Sequence, residues 1–386
     1  MKIPFSPLHV TGQELEYVYQ AVTSGQLAGD GSFTQKCQSW LEETIGSQKA
    51  LLTNSCTAAL EMAAILANIQ PGDEVILPSF TFVSTANAIV LRGGVPVFVD
   101  IRPDTLNLDE SKVEAAITPK TKAISPVHYA GVGCEMNELM TLAKQYQLTV
   151  IEDAAQGILA TYENQPIGSF GDMAAFSFHA TKNIVSGEGG ALVINNPTLV
   201  ERAEIIWEKG TNRSQFFRGE VDKYTWVDIG SSFLPSELTA AFLWAQLQQA
   251  KEINQQRMRV WQQYHKAFEG LELASKVRRP CIPTHCQHNA HIYYLLTNNV
   301  DTRTELLARL KAAGIQATFH YVPLHSSPAG QKFGRVSGGM SVTNMTSDRM
   351  VRLPLSASLT VDQVDYIIAT VLDVFNAKST LTEAYR

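Results

Sequence analysis

The sequence lacks several features that would each indicate a particular class of protein. It has no excess of basic residues, because 31 Lys and Arg stand against 37 Asp and Glu and give a net charge of −6. A nucleic-acid-binding surface is therefore not expected, since its electrostatic footprint is a basic patch. No run of about 18 apolar residues is present that could span a membrane. The first residues, Met1-Lys-Ile-Pro-Phe-Ser-Pro, lack the apolar core of a signal peptide, so the cytoplasm is the expected location.

Cysteine is scarce, and its pattern argues against a disulfide framework. The five cysteines lie at positions 37, 56, 134, 281 and 286, an odd number at irregular spacing. One segment, Cys281-Ile-Pro-Thr-His-Cys286-Gln-His288-Asn-Ala-His291, does hold the thiol and imidazole ligands that zinc prefers. Its spacing fits no zinc pattern, and we therefore expect no metal site in this chain.

What the sequence does contain is an ordinary globular composition with a regular alternation of strand and helix patterns. The 386 residues are 45% hydrophobic and 18% charged. Between residues 50 and 194 short apolar runs alternate with amphipathic ones, which predicts an α/β fold with a mostly parallel sheet covered on both faces. We predict a large domain over residues 1–250 and a small α+β domain over 251–386. Residues 326–347, rich in Gly and Ser, are expected to form a mobile loop.

A single lysine follows one of these predicted strands. The apolar run from Ala174 to Phe178 ends in His-Ala-Thr-Lys182 and is followed by the glycine-rich Ser186-Gly-Glu-Gly-Gly190. Lys182 is therefore expected on a loop at the edge of the sheet, where cofactors commonly bind. Partial burial there would lower the pKa of the amine and favour a Schiff-base nucleophile. Taken alone, the pattern is more typical of an ordinary solvated surface lysine.

A second polar group follows a neighbouring predicted strand. Leu148 to Ile151 is a β-rich run, and Glu-Asp153-Ala-Ala-Gln156 comes directly after it. A carboxylate at the end of a central strand can hydrogen-bond a protonated pyridine nitrogen, the pairing that makes pyridoxal phosphate an electron sink. The two alanines leave room for a flat ring, and Gln156 could reach a ring hydroxyl. Asp153 could instead be a plain helix N-cap after the strand.

An anion site is predicted where the first strand passes into a helix. Ala50 to Thr53 is a short strand, and Asn54-Ser55-Cys56-Thr57 then begins an apolar helical pattern. The free N–H groups and the hydroxyls of a helix N-terminus bind anions readily. We assign a phosphate to the Cys56 and Thr57 amides and to the Thr57 hydroxyl. A plain helix cap is the alternative interpretation.

These motifs together resemble a known family. Asp153-Ala-Ala-Gln156 followed by Ser177-Phe-His-Ala-Thr-Lys182 is similar to the DegT/DnrJ/EryC1/StrS family of pyridoxal-phosphate-dependent sugar aminotransferases, over nearly the whole chain. The resemblance implies the fold-type I aminotransferase fold, with Lys182 as the catalytic Schiff-base lysine. It also implies that Ser177 contacts the cofactor and that Phe80 stacks on the pyridine ring. His128, after another strand, is expected to face the same site. Cys56 replaces the glycine of the usual Ser-Gly-Thr motif.

The resemblance also implies a set of substrate-binding residues. His320-Tyr321-Val-Pro-Leu-His325 matches a family signature that lines the substrate pocket, which implicates His320, Tyr321 and His325. The long polar and aromatic segment from Gly210 to Phe233 is expected to reach the other subunit of a homodimer. There Arg213, Arg218 and Lys223 could meet a diphosphate, or be surface charges. This chain has Ser231-Ser232-Phe233 where many members carry Tyr-Asn-Tyr, which leaves an intersubunit contact by Ser232 doubtful.

The function implied by the resemblance is transfer of an amino group from glutamate to a dTDP-linked keto sugar. Three alternatives remain open. The substrate could be another nucleotide-linked keto sugar, with a 3-amino or 4-amino-glucose product. The fold also serves sugar dehydratases, although these carry histidine at the position of Lys182. A non-catalytic sugar-nucleotide sensor on the same scaffold would have no need of Asp153, Gln156, Ser177 and Lys182 together.

Overall fold

A computed structural model describes residues 1–384 of the chain. The helices are α1 (Glu14–Thr23), α2 (Ser32–Ile45), α3 (Cys56–Leu66), α4 (Val83–Val90), α5 (Met136–Tyr146), α6 (Val200–Trp207), α7 (Arg213–Phe217), α8 (Glu237–Gln248), α9 (Ala250–Ala267), α10 (Glu269–Leu273), α11 (Val300–Ala312), α12 (Pro328–Phe333), α13 (Ser341–Arg349) and α14 (Val361–Ala384). The strands are β1 (Lys49–Thr53), β2 (Glu74–Pro78), β3 (Val95–Val99), β4 (Thr121–Ile124), β5 (Thr149–Asp153), β6 (Thr161–Tyr162), β7 (Gln165–Pro166), β8 (Met173–Ser177), β9 (Gly190–Ile194), β10 (Val277–Arg278), β11 (Cys286–Gln287), β12 (Tyr293–Thr297), β13 (Arg335–Val336) and β14 (Met350–Leu353).

The large sheet has the strand order β1-β9-β8-β5-β4-β2-β3-β13. The pairs from β8 to β13 are all parallel, and β9 runs antiparallel to both of its neighbours. The prediction of a mostly parallel α/β sheet is therefore confirmed. Parallel strands need crossover connections, and helices on both faces supply them.

The strands of this sheet are apolar at consecutive positions because both faces are buried. In β1, Ala50 and Leu52 pack in one core with α2 and α8, while Leu51 between them packs in a second core with α3 and α6. Strand β9 alternates in the same way, with Ala191 and Leu192 on opposite faces. This period of two places the residues that follow the strands on predictable faces of the sheet.

The C-terminal part of the chain builds a separate core, distinct from the two that cover the large sheet, around a three-stranded sheet with the order β10-β12-β14. Helices α9, α11 and α14 pack against this sheet and contribute Trp261, Leu306 and Ile367 to its core. Strand β13, however, pairs in parallel with β3 at the edge of the large sheet. The chain beyond residue 250 thus supplies a strand to the large sheet. The division at that residue stays a prediction.

Two local predictions are wrong. The pattern over residues 109–117 predicts a helix, but the structure has two short 3₁₀ turns there, Glu110–Lys112 and Glu114–Ala116. The predicted loop at 326–347 contains α12, β13 and most of α13. One of its serines, Ser327, caps α12 by accepting from the Gly330 amide at 3.1 Å. Within the described residues no helix is long and apolar enough to cross a membrane.

We expect Glu237 to be a main stabiliser of the N-terminal layer of helices. Its carboxylate is 2% exposed and accepts from the Gly31, Phe33 and Thr34 amides at 3.1, 2.8 and 3.0 Å. Replacing it with alanine leaves these donors buried without an acceptor, and each such group costs about 1–3 kcal/mol. Glu237→Ala should therefore lower the free energy of unfolding in urea by about 3 kcal/mol.

Glu252 provides the control for this substitution. It is exposed on α9 and accepts from the Gln256 side chain at 2.9 Å. Glu252→Ala should change the free energy of unfolding by no more than about 0.5 kcal/mol. Equal effects of the two substitutions would contradict the role assigned to Glu237.

Candidate active site

A cavity lies at the carboxyl ends of four neighbouring parallel strands. Thr81, Val127, Asp153 and Ser177 follow or end β2, β4, β5 and β8, and all four line a cavity of about 440 Å³. Such a crevice at the strand ends is the usual ligand site of an open α/β sheet. The opposite wall comes from the C-terminal part of the chain and includes His291, His320, Tyr321 and Arg352.

The N-terminus of α3 forms one end of the cavity. Ser55 caps the helix by accepting from the Ala58 amide at 3.1 Å, and Thr57 Oγ1 lies 2.7 Å from Ser84 Oγ. The backbone here crosses Gly190 so closely that a Cβ on that residue would collide with the Cys56 amide nitrogen. Ser55, Cys56 and Thr57 line the cavity. The first amides of the helix and three hydroxyls therefore surround a place suited to a phosphate.

Asp153 is held rigidly at the end of β5. Its carboxylate is 5% exposed, accepts from Thr85 Oγ1 at 2.7 Å and from the Ala155 amide at 3.1 Å, and lines the cavity. Thr81 Oγ1 lies 3.1 Å from Thr85 Oγ1 and extends this contact. A carboxylate fixed in this way can pair with a protonated ring nitrogen without reorganising.

The adjacent acid, Glu152, points to the other face of the sheet and is structural. It is fully buried and accepts from the Gly168, Phe170 and Gly171 amides at 2.7–2.9 Å. His128 Nε2 lies 2.9 Å from Glu152 Oε2, while His128 Nδ1 accepts from the Cys134 amide. The expectation that His128 faces the site is therefore wrong. Its neighbour Val127 lines the cavity instead.

Lys182 lies in the cavity on the loop after β8. Its side chain is half-buried, and its backbone amide donates to His179 O at 2.9 Å. Burial lowers the pKa of the amine, and the charge of Arg352 lowers it further, against the opposing effect of Cys56 and Asp153. A neutral amine is the form that acts as a nucleophile or base.

Gln156 and Tyr321 connect the two walls of the cavity. Gln156 Oε1 accepts from the Ala130 amide at 2.7 Å, and its Nε2 donates to Tyr321 Oη at 3.2 Å. Both residues line the cavity, as does the buried Ser177. Gln156 is therefore placed to contact a ring that lies over the alanines that follow Asp153.

His320 is held in one tautomer by its neighbours. Arg352 Nη1 donates to His320 Nε2 at 2.6 Å, so Nδ1 carries the proton and donates to Tyr129 Oη at 3.2 Å. The ring also stacks on Tyr321, with centroids 3.6 Å apart. Burial, together with the charges of Arg352 and Lys182, holds the pKa of His320 well below its usual range. The imidazole at this wall is therefore neutral.

The structure places two predicted site residues away from the cavity. Phe80 is 1% exposed and packs edge-on against Tyr129 and Tyr321. Phe82, two residues later, is 58% exposed and lines the cavity. The turn after β2 directs Phe80 into the core and leaves Phe82 as the aromatic residue of this segment at the cavity. His325 Nδ1 lies 2.7 Å from Ser79 Oγ, and His325 is not among the lining residues.

The predicted diphosphate ligands also lie outside the cavity. Arg213 pairs with Glu208 at 3.4 Å, and Arg218 pairs with Glu204 and Glu220 at 2.8 Å. Lys223 is exposed on the same segment, and Ser232 pairs through its backbone with Glu208. Within one subunit none of these residues lines the cavity.

Besides Phe82, the sequence analysis missed Thr85, His291 and Arg352. Thr85 anchors Asp153 from α4, and a hydroxyl in an apolar helical pattern gave no signal. His291 lines the cavity and lies 2.8 Å, through Nδ1, from Asn183 Oδ1, although the sequence only placed it near two cysteines. Arg352 sits within β14, where a buried arginine in an apolar strand was a signal that could have been used.

The residues around the cavity fit a phosphorylated pyridine aldehyde such as pyridoxal phosphate. The amides of Cys56 and Thr57 suit the phosphate, and the missing Cβ of Gly190 allows the helix start to lie where it does. Asp153 suits the ring nitrogen, and the Lys182 amine suits the aldehyde. Each of these groups lines the same cavity. No group of three or more potential metal ligands was found among residues 1–384.

Comparison with known proteins gives a consistent result. The model of the DegT/DnrJ/EryC1/StrS aminotransferase family matches residues 9–372. The chain is 34% identical to the spore coat polysaccharide biosynthesis protein SpsC of Bacillus subtilis, over 96% of this chain and 97% of SpsC. It is 31% identical to the GDP-perosamine synthase of Caulobacter vibrioides, over 95% of this chain and 97% of that enzyme.

Solved structures share the whole fold. The structure of Spr1654 from Streptococcus pneumoniae, described as a sugar aminotransferase in its PMP form, superposes with a TM-score of 0.90. The identity is 28%, and the match covers 99% of this chain and 100% of Spr1654. The PseC aminotransferase of Helicobacter pylori, described as acting in pseudoaminic acid biosynthesis, gives a TM-score of 0.87 at 26% identity and covers 98% of this chain and 100% of PseC.

The lowered pKa of Lys182 predicts a pH-dependent effect of removing its charge. Below the lowered pKa the amine is protonated in folded and unfolded chains alike, and the folded state bears the full penalty of holding a charge in the cavity. The penalty shrinks as the pH rises from the lowered pKa to the ordinary value of 10.5, and it is absent at higher pH. In protein without cofactor, Lys182→Met should therefore raise the free energy of unfolding at pH 7, and this gain should fade as the pH approaches 10.5.

Urea denaturation of both proteins across this pH range measures the difference. Lys251, which is exposed on α9, is the matched control, and Lys251→Met should change the free energy of unfolding by at most about 0.5 kcal/mol. Two results would show that the surroundings do not destabilise the protonated amine. One is a loss of stability in Lys182→Met at pH 7, and the other is a gain in stability that does not vary with pH.

Proposed function

The chain belongs to the DegT/DnrJ/EryC1/StrS aminotransferase family, and from this we propose that it transfers an amino group from L-glutamate to the keto group of a nucleotide-linked sugar. It is a sugar aminotransferase whose cofactor is pyridoxal phosphate. The observation that carries the proposal is the meeting of Lys182, Asp153 and the α3 N-terminus around one cavity. These three groups suit the aldehyde, the ring nitrogen and the phosphate of one cofactor.

For the substrate we propose dTDP-4-keto-6-deoxyglucose, with dTDP-4-amino-4,6-dideoxygalactose as the product. The segment Glu208-Lys-Gly-Thr-Asn-Arg-Ser-Gln-Phe-Phe-Arg-Gly219 supports this choice because it resembles that of transaminases acting in enterobacterial common antigen synthesis. The relative named GDP-perosamine synthase supports a second candidate, a GDP-linked keto sugar. The two candidates differ in the base of the nucleotide.

The residues of the cavity have distinct roles in this reaction. When bound, the cofactor supplies an aldehyde that links to amines and a ring that accepts an electron pair from the adjacent carbon. Lys182 would hold the aldehyde, and its neutral amine would take the proton from the α-carbon of the donor. Asp153 would keep the ring nitrogen protonated. The amides of Cys56 and Thr57 would hold the phosphate.

The electrostatics of the cavity suit this use of Lys182. Burial lowers the pKa of Lys182 and so favours the neutral amine, which is the form that can act as a general base. Burial also holds the pKa of His291 and His320 well below the usual range, so both imidazoles are neutral. Proton transfer at the α-carbon is therefore left to Lys182, while the histidines orient neighbouring groups.

We further propose a homodimer in which residues 210–233, here called the arm, reach the partner subunit. The arm exposes apolar side chains that a monomer would leave in water, among them Phe217 at 67% and Trp226 at 77%. Patches of this kind mark protein interfaces. In a dimer Arg213 and Lys223 of the arm could approach the cavity of the other subunit and meet the diphosphate there. The cytoplasm remains the expected location.

Amine transfer tests the enzymatic proposal directly. Protein with pyridoxal phosphate and L-glutamate is given dTDP-4-keto-6-deoxyglucose, and the product is analysed by mass spectrometry and NMR. We expect an amino sugar whose configuration at C4 is that of galactose. Lys182→Ala should lower the rate by about 10³-fold or more, because the base and the link to the aldehyde are lost together.

The result separates the alternatives. If a GDP-linked keto sugar is aminated and the dTDP-linked sugar is not, the protein is an aminotransferase as proposed, but its substrate carries GDP instead of dTDP. A glucose configuration at C4, or amination at C3, would correct the product. If the protein binds pyridoxal phosphate but accepts no amine, it is a sensor rather than an enzyme.

The dimer is tested by replacing apolar residues of the arm. Phe217→Ser combined with Trp226→Ser should raise the dimer dissociation constant at least about tenfold, because large buried aromatic residues carry much of the binding energy of an interface. Sedimentation velocity over a range of concentrations measures this. Leu273, 81% exposed at the end of α10, is the control, and Leu273→Ser should leave the dimer intact. A monomeric wild-type protein would refute the proposal.

A further inference from the structure

His291 presents one unused polar atom to the cavity. The residue lies between β11 and β12, is 6% exposed and lines the cavity. Its Nδ1 lies 2.8 Å from Asn183 Oδ1. Its Nε2 has no hydrogen-bond partner among residues 1–384, and yet it is not sealed inside the protein. Nε2 is therefore the atom through which this imidazole can contact a ligand.

The hydrogen bonds around Asn183 fix where the imidazole carries its proton. Asn183 Nδ2 donates to Asn289 O at 2.8 Å, so its amide oxygen Oδ1 must face His291. An amide oxygen only accepts, and Nδ1 of the imidazole therefore carries the proton. Burial and the charge of Lys182 hold the pKa of His291 well below its usual range, which keeps the ring neutral. Nε2 is thus an acceptor without a proton or a charge.

The same contacts hold the imidazole in one orientation. Turning the ring over would bring a C–H group to Asn183 Oδ1, which is buried and would lose its donor. Arg257 also holds the backbone here, because it donates to Ala290 O at 3.2 Å and to His291 O at 2.7 Å. The acceptor is therefore in place before any ligand arrives, and it need not reorganise to bind one.

His291 lies beside the reacting lysine. Asn183, its hydrogen-bond partner, directly follows Lys182 in the chain. Of the charges that lower the pKa of His291, that of Lys182 has the largest effect, ahead of those of Arg257 and Arg352. The carbon that exchanges its amine must come next to Lys182. A group that binds at His291 Nε2 is therefore attached close to that carbon.

An acceptor of this kind discriminates among the groups that the two proposed substrates carry. Carboxylates and phosphates have only acceptor oxygens, so Nε2 cannot bind them. L-Glutamate offers no donor besides its amine, and the amine is the group that reacts. The keto sugar, in contrast, carries hydroxyl groups. In dTDP-4-keto-6-deoxyglucose the carbonyl at C4 lies between C5, which bears a methyl group, and C3, which bears a hydroxyl.

We propose that His291 is a specificity-determining residue that accepts a hydrogen bond from the C3 hydroxyl of the keto sugar through Nε2. The inference rests on the proposed function and adds to it the hydroxyl that the cavity recognises. It also gives the two halves of the reaction different requirements, because the sugar half uses His291 Nε2 and the glutamate half does not.

Two sugars that differ only in this hydroxyl test the proposal. The holoprotein is supplied with L-glutamate and with either dTDP-4-keto-6-deoxyglucose or its 3-deoxy analogue, dTDP-4-keto-3,6-dideoxyglucose. The value of kcat/KM is measured for each sugar. Wild type should prefer the 3-hydroxy sugar at least about tenfold, because the analogue leaves the acceptor in the cavity without a donor.

Two substitutions of His291 separate the roles of its two nitrogens. The amide of asparagine can take the place of Nδ1, and that of glutamine can take the place of Nε2. His291→Asn keeps a donor for Asn183 and should lower the preference to about twofold or less, since the acceptor is gone. His291→Gln keeps an acceptor toward the cavity and should retain a preference of at least about threefold. The reverse order would show that His291 acts only through Asn183.

Equilibrium binding supplies a second readout that does not depend on turnover. dTDP-6-deoxygalactose has no carbonyl and cannot react, and calorimetry compares its binding to the holoprotein with that of its 3-deoxy analogue. The hydroxyl should tighten binding to wild type at least about fivefold and make no difference in His291→Asn. The rate at which L-glutamate removes the visible absorption band should change less than about threefold in either variant, which reports that the Lys182 loop is intact.

His288→Leu is the matched control. His288 lies on the same segment, and burial lowers its pKa to about 4, so it too is a neutral imidazole. Its Nδ1 accepts from the Ala290 amide at 3.2 Å, and its ring packs on Trp261 rather than lining the cavity. This substitution should leave the preference between the two sugars unchanged.

The remaining outcomes also decide the matter. Equal kcat/KM values for the two sugars in wild type would overturn the assignment, although the protein would still be an aminotransferase. An equal loss for both sugars in His291→Asn, with the preference intact, would overturn it as well, since a merely structural residue has that effect. If wild type aminates neither sugar and yet binds dTDP-6-deoxygalactose more tightly than its analogue through His291, the hydroxyl site is confirmed and the proposed function is wrong.

Discussion

The cavity depends on a short set of hydrogen bonds that join the lysine loop to the C-terminal part of the chain. Asn183, the residue after Lys182, donates through Nδ2 to Asn289 O at 2.8 Å and accepts from His291 Nδ1 at 2.8 Å. Asn289 in turn donates to Gln156 O and Ile158 O, and Arg257 holds His291 O. These hydrogen bonds thus fix together three segments that are far apart in sequence. The segments carry Lys182, Gln156 and the opposite wall of the cavity. Since these groups are buried, each bond is worth more than at the surface, and losing one leaves a partner unsatisfied.

The charges follow from this packing. The cavity holds two neutral histidines, an amine whose pKa is lowered and a guanidinium that has no acid partner among residues 1–384. Asp153 already accepts two hydrogen bonds. Such an arrangement stabilises negative charge that arrives with a ligand, because the positive groups are buried and have few competing partners. The alternation along β5 separates this function from stability: Asp153 faces the cavity, while Glu152 on the opposite face accepts three amides and contacts His128.

The sequence predicts the sheet and its polar strand ends well, because their signals are local. The apolar runs before Asp153 and Lys182, and the hydroxyls at Ser55 and Thr57, are visible without knowledge of tertiary structure. The side chains of the opposite wall are harder to predict from the sequence, since Arg352 and His291 reach the cavity only through long-range packing. Phe80 and Phe82 show the limit most clearly: both follow the same strand, and only the turn after Pro78 decides which enters the core. The role proposed for Arg213 and Lys223 of the arm requires a second subunit, which no pattern within one chain describes.

Strand β13 has a consequence for how the chain folds. It is drawn from residues 335–336 and covers β3, which would otherwise be the edge of the large sheet. During synthesis β3 emerges more than two hundred residues before its partner. A nascent chain therefore carries an open strand edge, a template for pairing with other chains, until nearly all of the protein has left the ribosome. The contact is also of very high sequence separation, and such contacts form late because the loop must close first. Chaperone dependence of this protein should accordingly be greatest for fragments that end before residue 335.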